Sequence, residues 1–202
     1  AGMAIPSTLR AQSADLVWHD VRDWGVEGKG WSDTKRYFDR LPGNAEGVVR
    51  PPVWELSRHS AGMTVRFTTD APAIHVRYAL LSDQLAMPIM PATGVSGLDL
   101  YATDAQGVER WVGVVRPTTR LIETAIATDL RAGTRDYTIY LPLYNGVDSL
   151  EIGTEAGTVF EPVAPRSERP MLFYGTSIMH GASASRPGMA IPALLGRRLN
   201  RP

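Results

Sequence analysis

The chain has 202 residues, enough for one large domain or for one domain and part of a second. Apolar residues make up 44% and charged residues 21%, a globular balance that excludes wholesale disorder. Lys+Arg and Asp+Glu both number 21, so no basic excess points to nucleic acid or to an anionic membrane.

Residues 1–15 are small and polar and are expected to form a flexible N-terminus. They contain no basic stretch followed by an apolar run, so they do not read as a signal peptide. Residues 16–58 mix aromatics with turn residues, and no period survives Gly25, Gly28, Gly30, Pro42, Pro51 and Pro52, so loops and short strands are expected. Alternation then becomes clear. Met63, Val65 and Phe67 alternate with polar residues, as do Ile74, Val76 and Tyr78, with a turn at 69–72, so two half-buried antiparallel strands are expected. Further strands are expected at Leu98–Tyr101, Trp111–Val115, Tyr137–Leu141 and Leu150–Ile152, with Asn145-Gly146 as a turn between the last two. Glycine 19 and proline 15 add to this turn-rich picture. The fold class is therefore mainly β: the strand spacing suggests an all-β sandwich over about 50–160, and the N-terminal domain is taken to span 16–160.

Residues 161–170 hold three prolines and are expected to be an extended linker. The pattern then changes. Met171–Tyr174 is a continuous apolar run, as in a strand buried on both faces. A helix is expected to start at Ser185-Arg-Pro187 and to bury Ile191, Leu194, Leu195 and Leu199 along one face. Residues 171–202 thus read as the first strand, turn and helix of an α/β domain. One strand and one helix cannot complete a sheet, so the rest of that domain, from the same or another chain, is an expected partner.

The strand–turn–helix unit carries the sharpest chemical signal. A serine just past a buried strand at a helix N-terminus has free backbone N–H groups around it, which suit a nucleophile whose reaction builds an oxyanion. Ser177 is in that place, and Gly175 lets the backbone turn and leaves room for substrate. The plainer reading is a serine that caps the helix. No cysteine is present, which excludes a thiol nucleophile, disulfides and zinc ribbons; it assigns no compartment, and periplasmic or secreted locations are only favoured over the cytoplasm. No apolar run approaches the ~18–20 residues of a membrane span. No His/Asp/Glu grouping has metal spacing and no glycine pattern matches a nucleotide fingerprint, so neither metal nor cofactor is expected.

Phe173-Tyr-Gly-Thr-Ser-Ile178 resembles the first block of the SGNH (GDSL-type) hydrolases, with Gly175-Thr176-Ser177 where Gly-Asp-Ser is usual. Gly97-Leu-Asp-Leu-Tyr101 resembles the Gly-x-Asp-Leu-Tyr signature of a β-domain that precedes the hydrolase domain in a bacterial branch of that superfamily. Trp24–Trp31, Arg50–Arg58 and Ala184–Ala190 resemble the same branch. The resemblance implies a serine esterase whose jelly-roll-like domain precedes a flavodoxin-like α/β hydrolase domain. Ser177 matches the nucleophile and its N–H one oxyanion donor, with Gly175 and Thr176 beside it. The resemblance also implies further oxyanion donors and an Asp-x-x-His base in later blocks. Leu16, Leu56, Pro72 and Ser177 stand three residues before His19, His59, His75 and His180, so that motif is not in this chain. A serine without a positioned base is a weak nucleophile, and the chain alone is expected to be inactive.

The expected substrate is a small acyl ester, acetyl by preference, with an acylated sugar as the expected alcohol. Other residues carry two readings each. His180 either rims the site or is a solvated helix residue. Arg58 and His59 either contact substrate or form a surface turn. His19 and His75 are expected to be structural or solvated. Asp99 and Tyr101 either shape an interface or groove, or satisfy backbone donors and pack. Trp18, Trp24, Trp31 and Trp54 either form a sugar platform or belong to core and interface. Lys29, Lys35, Arg36 and Arg40, flanked by Asp33 and Asp39, read as a mixed solvated face. The rival functions are a glycan-binding sandwich with a vestigial serine segment, and an assembly module that makes homo-oligomers.

Overall fold

The computed structural model describes residues 15–202, so the expectation for 1–15 lies, apart from Asp15, outside the described residues. Among the described residues, nine strands form two antiparallel sheets. One has the order β1 (Leu16–Asp20), β8 (Val147–Glu155), β3 (Ile74–Leu80), β6 (Leu121–Ala127). The other has the order β5 (Glu109–Val114), β4 (Asp99–Thr103), β7 (Arg135–Tyr140), β2 (Thr64–Thr69), β9 (Phe160–Val163). The first eight strands follow the jelly-roll order, and β9 is added as an edge.

The two inner faces supply the core. Val65 and Phe67 of β2, Ile74, Val76 and Tyr78 of β3, Tyr137 and Ile139 of β7, and Leu150 and Ile152 of β8 are all buried there. The period-2 alternation of the sequence is therefore the alternation of core and solvent. It does not identify partners: β2 and β3 lie in opposite sheets, and the turn at 69–72 carries the chain across the sandwich. Asn145-Gly146 likewise joins β7 to β8 across the sheets and closes no hairpin. Asn145 is buried and ties two loops together, donating to Ser82 O (2.9 Å) and Ser96 Oγ (3.1 Å).

Several expectations about local structure need correction. The 16–58 stretch contains a helix, α1 (Pro51–Ser57), because Pro51 and Pro52 fall in its first turn, where no N–H donor is needed. A second short helix, α2 (Ala92–Val95), lies between β3 and β4. The linker begins later than expected. Residues 161–163 belong to β9, where Pro162 is tolerated because the strand is an edge. The rest of the linker is docked: Arg166 donates to the buried Glu27 carboxylate through its backbone N (3.1 Å), Nε (3.0 Å) and Nη2 (2.8 Å).

Met171–Tyr174 forms no strand, and Leu172 and Tyr174 are 86% and 95% exposed. A parallel strand needs neighbours for its backbone and both faces, and none of the described elements supplies them. The helix start is also displaced. Pro187–Met189 is a single 3-10 turn, and the helix proper, α4 (Ile191–Leu199), has Pro192 in its first turn. Its apolar stripe is not buried: Ile191, Leu194 and Leu199 are exposed.

Candidate active site

Ser177 opens a short helix, α3 (Ser177–His180). Thr176 is its cap: the Thr176 hydroxyl accepts from Ile178 N at 3.4 Å, and its carbonyl accepts from His180 N at 3.2 Å. The capping role considered for Ser177 thus falls to its neighbour. Ser177 is exposed, and neither its hydroxyl nor its N–H enters a hydrogen bond among the described residues. The helix ends at Gly181, whose φ of 103° is in the left-handed region and whose Cα faces Leu143 so closely that a Cβ would lie 2.8 Å from Leu143 Cδ1. Gly175 does not adopt positive φ; what requires glycine there is Met179, whose Cγ would lie 2.7 Å from an added Cβ.

The sandwich supplies the floor under this turn. Tyr144 donates to Ser177 O at 3.3 Å and stacks on the His180 ring at 4.3 Å. His180 Nε2 lies 2.6 Å from Leu143 O, a carbonyl that can only accept, so this nitrogen carries the proton. The His59 ring packs against both His180 (5.6 Å) and Tyr144 (5.8 Å). Arg40 closes the cluster, donating to His59 O (2.9 Å) and Leu56 O (2.5 Å). Arg40 is therefore part of this packed cluster and not of the solvated face expected for it.

Burial dominates the electrostatics of the cluster. It pushes His180 down to about 3 and His59 down to about 4, with the Arg40 cation as the second cause in both. Burial also lowers Arg40 to about 10, still charged at neutral pH. Both imidazoles are therefore neutral near pH 7. His180, with Nε2–H committed to Leu143 O and a low basicity, does not make a base for Ser177. No described carboxylate or imidazole hydrogen-bonds the Ser177 hydroxyl.

Arg58 and His59 lie beside this cluster. They line a cavity of about 230 Å³ with Arg36, Glu55, Ser82 and Asn145. Arg58 is held there by the buried Asp39, donating from Nε to Oδ1 at 2.9 Å. The loop sits so closely on Gly146 that a Cβ there would lie 2.3 Å from Arg58 O. The structure thus brings His180 and His59 together and ties Ser177 to them through Tyr144, with Arg58 one residue from His59 on the cavity wall.

The remaining candidates sit elsewhere. His19 stacks on Phe160 at 3.8 Å. Trp18 lies under Arg77, Trp24 donates to Arg66 O (3.0 Å), Trp54 is buried in α1, and Trp31 is 45% exposed. Asp99 and Tyr101 face the segment that follows Ser177: Gly188 N donates to Asp99 Oδ2 at 2.8 Å, and the Arg197 guanidinium covers Tyr101 at 4.3 Å. Both readings given for these residues meet here: Asp99 satisfies a backbone donor and Tyr101 packs, and both do so on the segment that follows Ser177.

Sequence reading missed Tyr144, Leu143, Asp39 and the burial of Arg40. Each acts through contacts distant in sequence, such as Tyr144 with Ser177, and no local spacing marks them.

Comparison with known proteins identifies the family and the fold. The family model described as GxDLY, N-terminus of Esterase SGNH hydro-type, matches residues 16–160. The GDSL-like Lipase/Acylhydrolase family matches residues 168–202. No curated protein matches the chain. Among solved structures, a Bacteroides ovatus ATCC 8483 protein described as a GDSL-like lipase is 31% identical, with a TM-score of 0.84 over 91% of this chain and 53% of that one. The salicylyl-acyltransferase SsfX3 from a tetracycline biosynthetic pathway is 21% identical, with a TM-score of 0.61 over 94% of this chain and 52% of that one, a likeness of fold. The chain spans about half the length of each.

Proposed function

The chain belongs to the SGNH-type esterases that carry the GxDLY N-terminal domain, and on that premise we propose that the whole protein is a serine esterase acting through Ser177. The observation that carries the reading is the Ser177 turn itself. An exposed hydroxyl and an uncommitted backbone N–H share one residue at the start of a helix, capped by Thr176 and backed by the sandwich. The hydroxyl attacks the ester carbonyl, the N–H holds the oxyanion, the alcohol leaves, and water releases the acyl group from the enzyme. The base, the acid and the remaining oxyanion donors come from outside this chain segment. The exposed stripe of α4 and the extended 171–174 run are the surfaces on which the rest of the hydrolase domain packs in this reading.

The substrate is a small acyl ester, acetyl by preference, on a carbohydrate or similar polar alcohol. The polar cavity lined by Arg58 and His59, the latter packed on His180, suits a hydroxyl-rich alcohol portion better than a long acyl chain. His180 acts at the rim by shape and not as a base. The test is to treat the longest natural form with a fluorophosphonate and locate the adduct by peptide mass spectrometry. Labelling at Ser177 that vanishes in Ser177→Ala is expected; an intact, folded protein without label overturns the esterase reading and favours a glycan-binding sandwich.

A further inference from the structure

The Gly97–Tyr101 signature is not absorbed by the esterase chemistry, yet each of its residues has a defined place. Leu98 and Leu100 point into the sandwich and are fully buried. Asp99 and Tyr101 point the other way, as alternation along β4 requires, toward residues 184–197. Gly97 is needed for close approach: a Cβ there would lie 2.4 Å from Val115 O and 2.5 Å from Thr93 O.

The Asp99 carboxylate has no solvent exposure. Its Oδ1 accepts from Trp111 Nε1 at 2.9 Å. Its Oδ2 accepts from Gly188 N at 2.8 Å and lies 3.4 Å from Arg186 Nε. A buried carboxylate is unfavourable unless its oxygens are paired. Two of these three partners, Gly188 and Arg186, belong to the segment that follows Ser177, so Asp99 is satisfied only when that segment is seated. Tyr101 completes the contact. Arg197 stacks on it and donates to Gly188 O at 2.6 Å. A Cβ on Gly188 would lie 2.5 Å from Tyr101 Cε2, so the backbone lies directly on the ring. Between this point and the serine, Thr93 Oγ1 donates to Ser185 O at 2.6 Å, and Ala184 O fills the place of a Cβ on Gly94. At the near end, His180 and Gly181 rest on Leu143.

We propose that Asp99 and Tyr101 are positioning residues: they form a latch that seats residues 184–197 on the sandwich and thereby fixes the Ser177 turn between two anchors. The signature of the N-terminal domain is then a device with one face in the core and the other on the nucleophile segment. The link to reactivity rests on the esterase reading, whereas the seating itself does not.

The experiment uses the longest natural form, with Asp99→Ala, Asp99→Asn and Arg186→Gln variants. Hydrogen exchange is followed in 181–190 and in β3 and β8, together with phosphonylation of Ser177 by a fluorophosphonate and turnover of p-nitrophenyl acetate. Asp99→Ala is expected to speed exchange in 181–190 alone. It is expected to lower kcat and the phosphonylation rate by roughly 10- to 100-fold, the scale of a small misplacement of reacting groups, with KM little changed. Asp99→Asn, which keeps one acceptor oxygen, should fall between. Should Asp99→Ala fail to fold, Arg186→Gln, which reaches the carboxylate from the partly exposed side, carries the same expectation. Unchanged exchange in 181–190, or equal acceleration in β3 and β8, overturns the latch. Faster exchange with unchanged phosphonylation overturns its link to the nucleophile. Failure of the wild type to label at Ser177 overturns the esterase reading alone, and the exchange data still decide the latch.

Discussion

The Tyr144 phenol donates to the main-chain carbonyl of Ser177 across 3.3 Å, and the same ring stacks on His180. One sandwich residue thus touches both ends of α3. The hydrogen bond is the smaller of its two contributions, because Ser177 O also accepts from Gly181 N (3.1 Å) and Ala182 N (2.8 Å) and is not left unpaired without it. Tyr144→Phe therefore costs at most about 1 kcal/mol of seating and should leave phosphonylation of Ser177 within a few-fold of wild type. Tyr144→Ala removes the ring from under His180 and His59 and should slow labelling further. Equal effects of the two variants would show that the hydroxyl, and not the ring, holds the turn.

The two cluster histidines give the protein an acid-sensitive contact. Burial and Arg40 hold His59 at about 4 and His180 at about 3, below the ordinary 6.5. The unfolded chain takes up these protons first, so the stability that they contribute is complete above pH 6.5, is lost progressively as pH falls below it, and is gone below about 4 for His59 and about 3 for His180. Urea midpoints measured at pH 7 and pH 4.5 should fall for wild type. They should fall less for His180→Gln, which keeps a donor for Leu143 O. An identical fall in both proteins would remove His180 from the acid response.

Asp99 has the opposite sign. Burial raises it to about 6, against the pull of the Gly188 N–H, Arg186 and Trp111. A carboxylate raised above its unfolded value of 3.8 contributes stability that is complete below that value and is lost as pH rises through 6. The advantage of wild type over Asp99→Asn should therefore shrink between pH 4.5 and pH 7.5, by no more than about 3 kcal/mol for a shift of about two units. Paired unfolding curves at the two pH values check this; an advantage that grows with pH would mean that the hydrogen bonds to the carboxylate outweigh its burial.

The sandwich was legible because its signal is local. Alternation in 63–67 and 74–78 reports which side chains meet the core, and the structure agrees residue by residue. Partnership was not legible: β2 and β3 show the same pattern but join different sheets. In the site, Ser177 was readable from its turn, whereas the floor beneath it was not. Arg40 looked solvated amid Lys35, Arg36 and Asp39, but its donors are taken by carbonyls of the α1 end, a contact set by tertiary packing alone. Met171–Tyr174 failed for the complementary reason. An apolar run states what a segment needs, and here its neighbours are not among the described residues.

The two faces of β4 can be separated by substitution. Leu100 is fully buried between the sheets, and Leu100→Ala should lower global stability by about 2–5 kcal/mol through the lost transfer energy and the cavity left behind. Gly188→Ala acts on the other face. Its Cβ would meet Tyr101 Cε2 at 2.5 Å and Asp99 Oδ2 at 2.8 Å, both held by packing, so the segment must lift from the sandwich. The cost of such overpacking, about 1–3 kcal/mol, should fall on seating and leave the sandwich largely unaffected. Limited proteolysis distinguishes the two. Gly188→Ala should expose cuts within 171–202 while the 16–163 fragment stays resistant, and Leu100→Ala should expose both regions together. Cuts confined to 171–202 in both variants would mean that the core face of β4 also serves mainly to hold the serine segment.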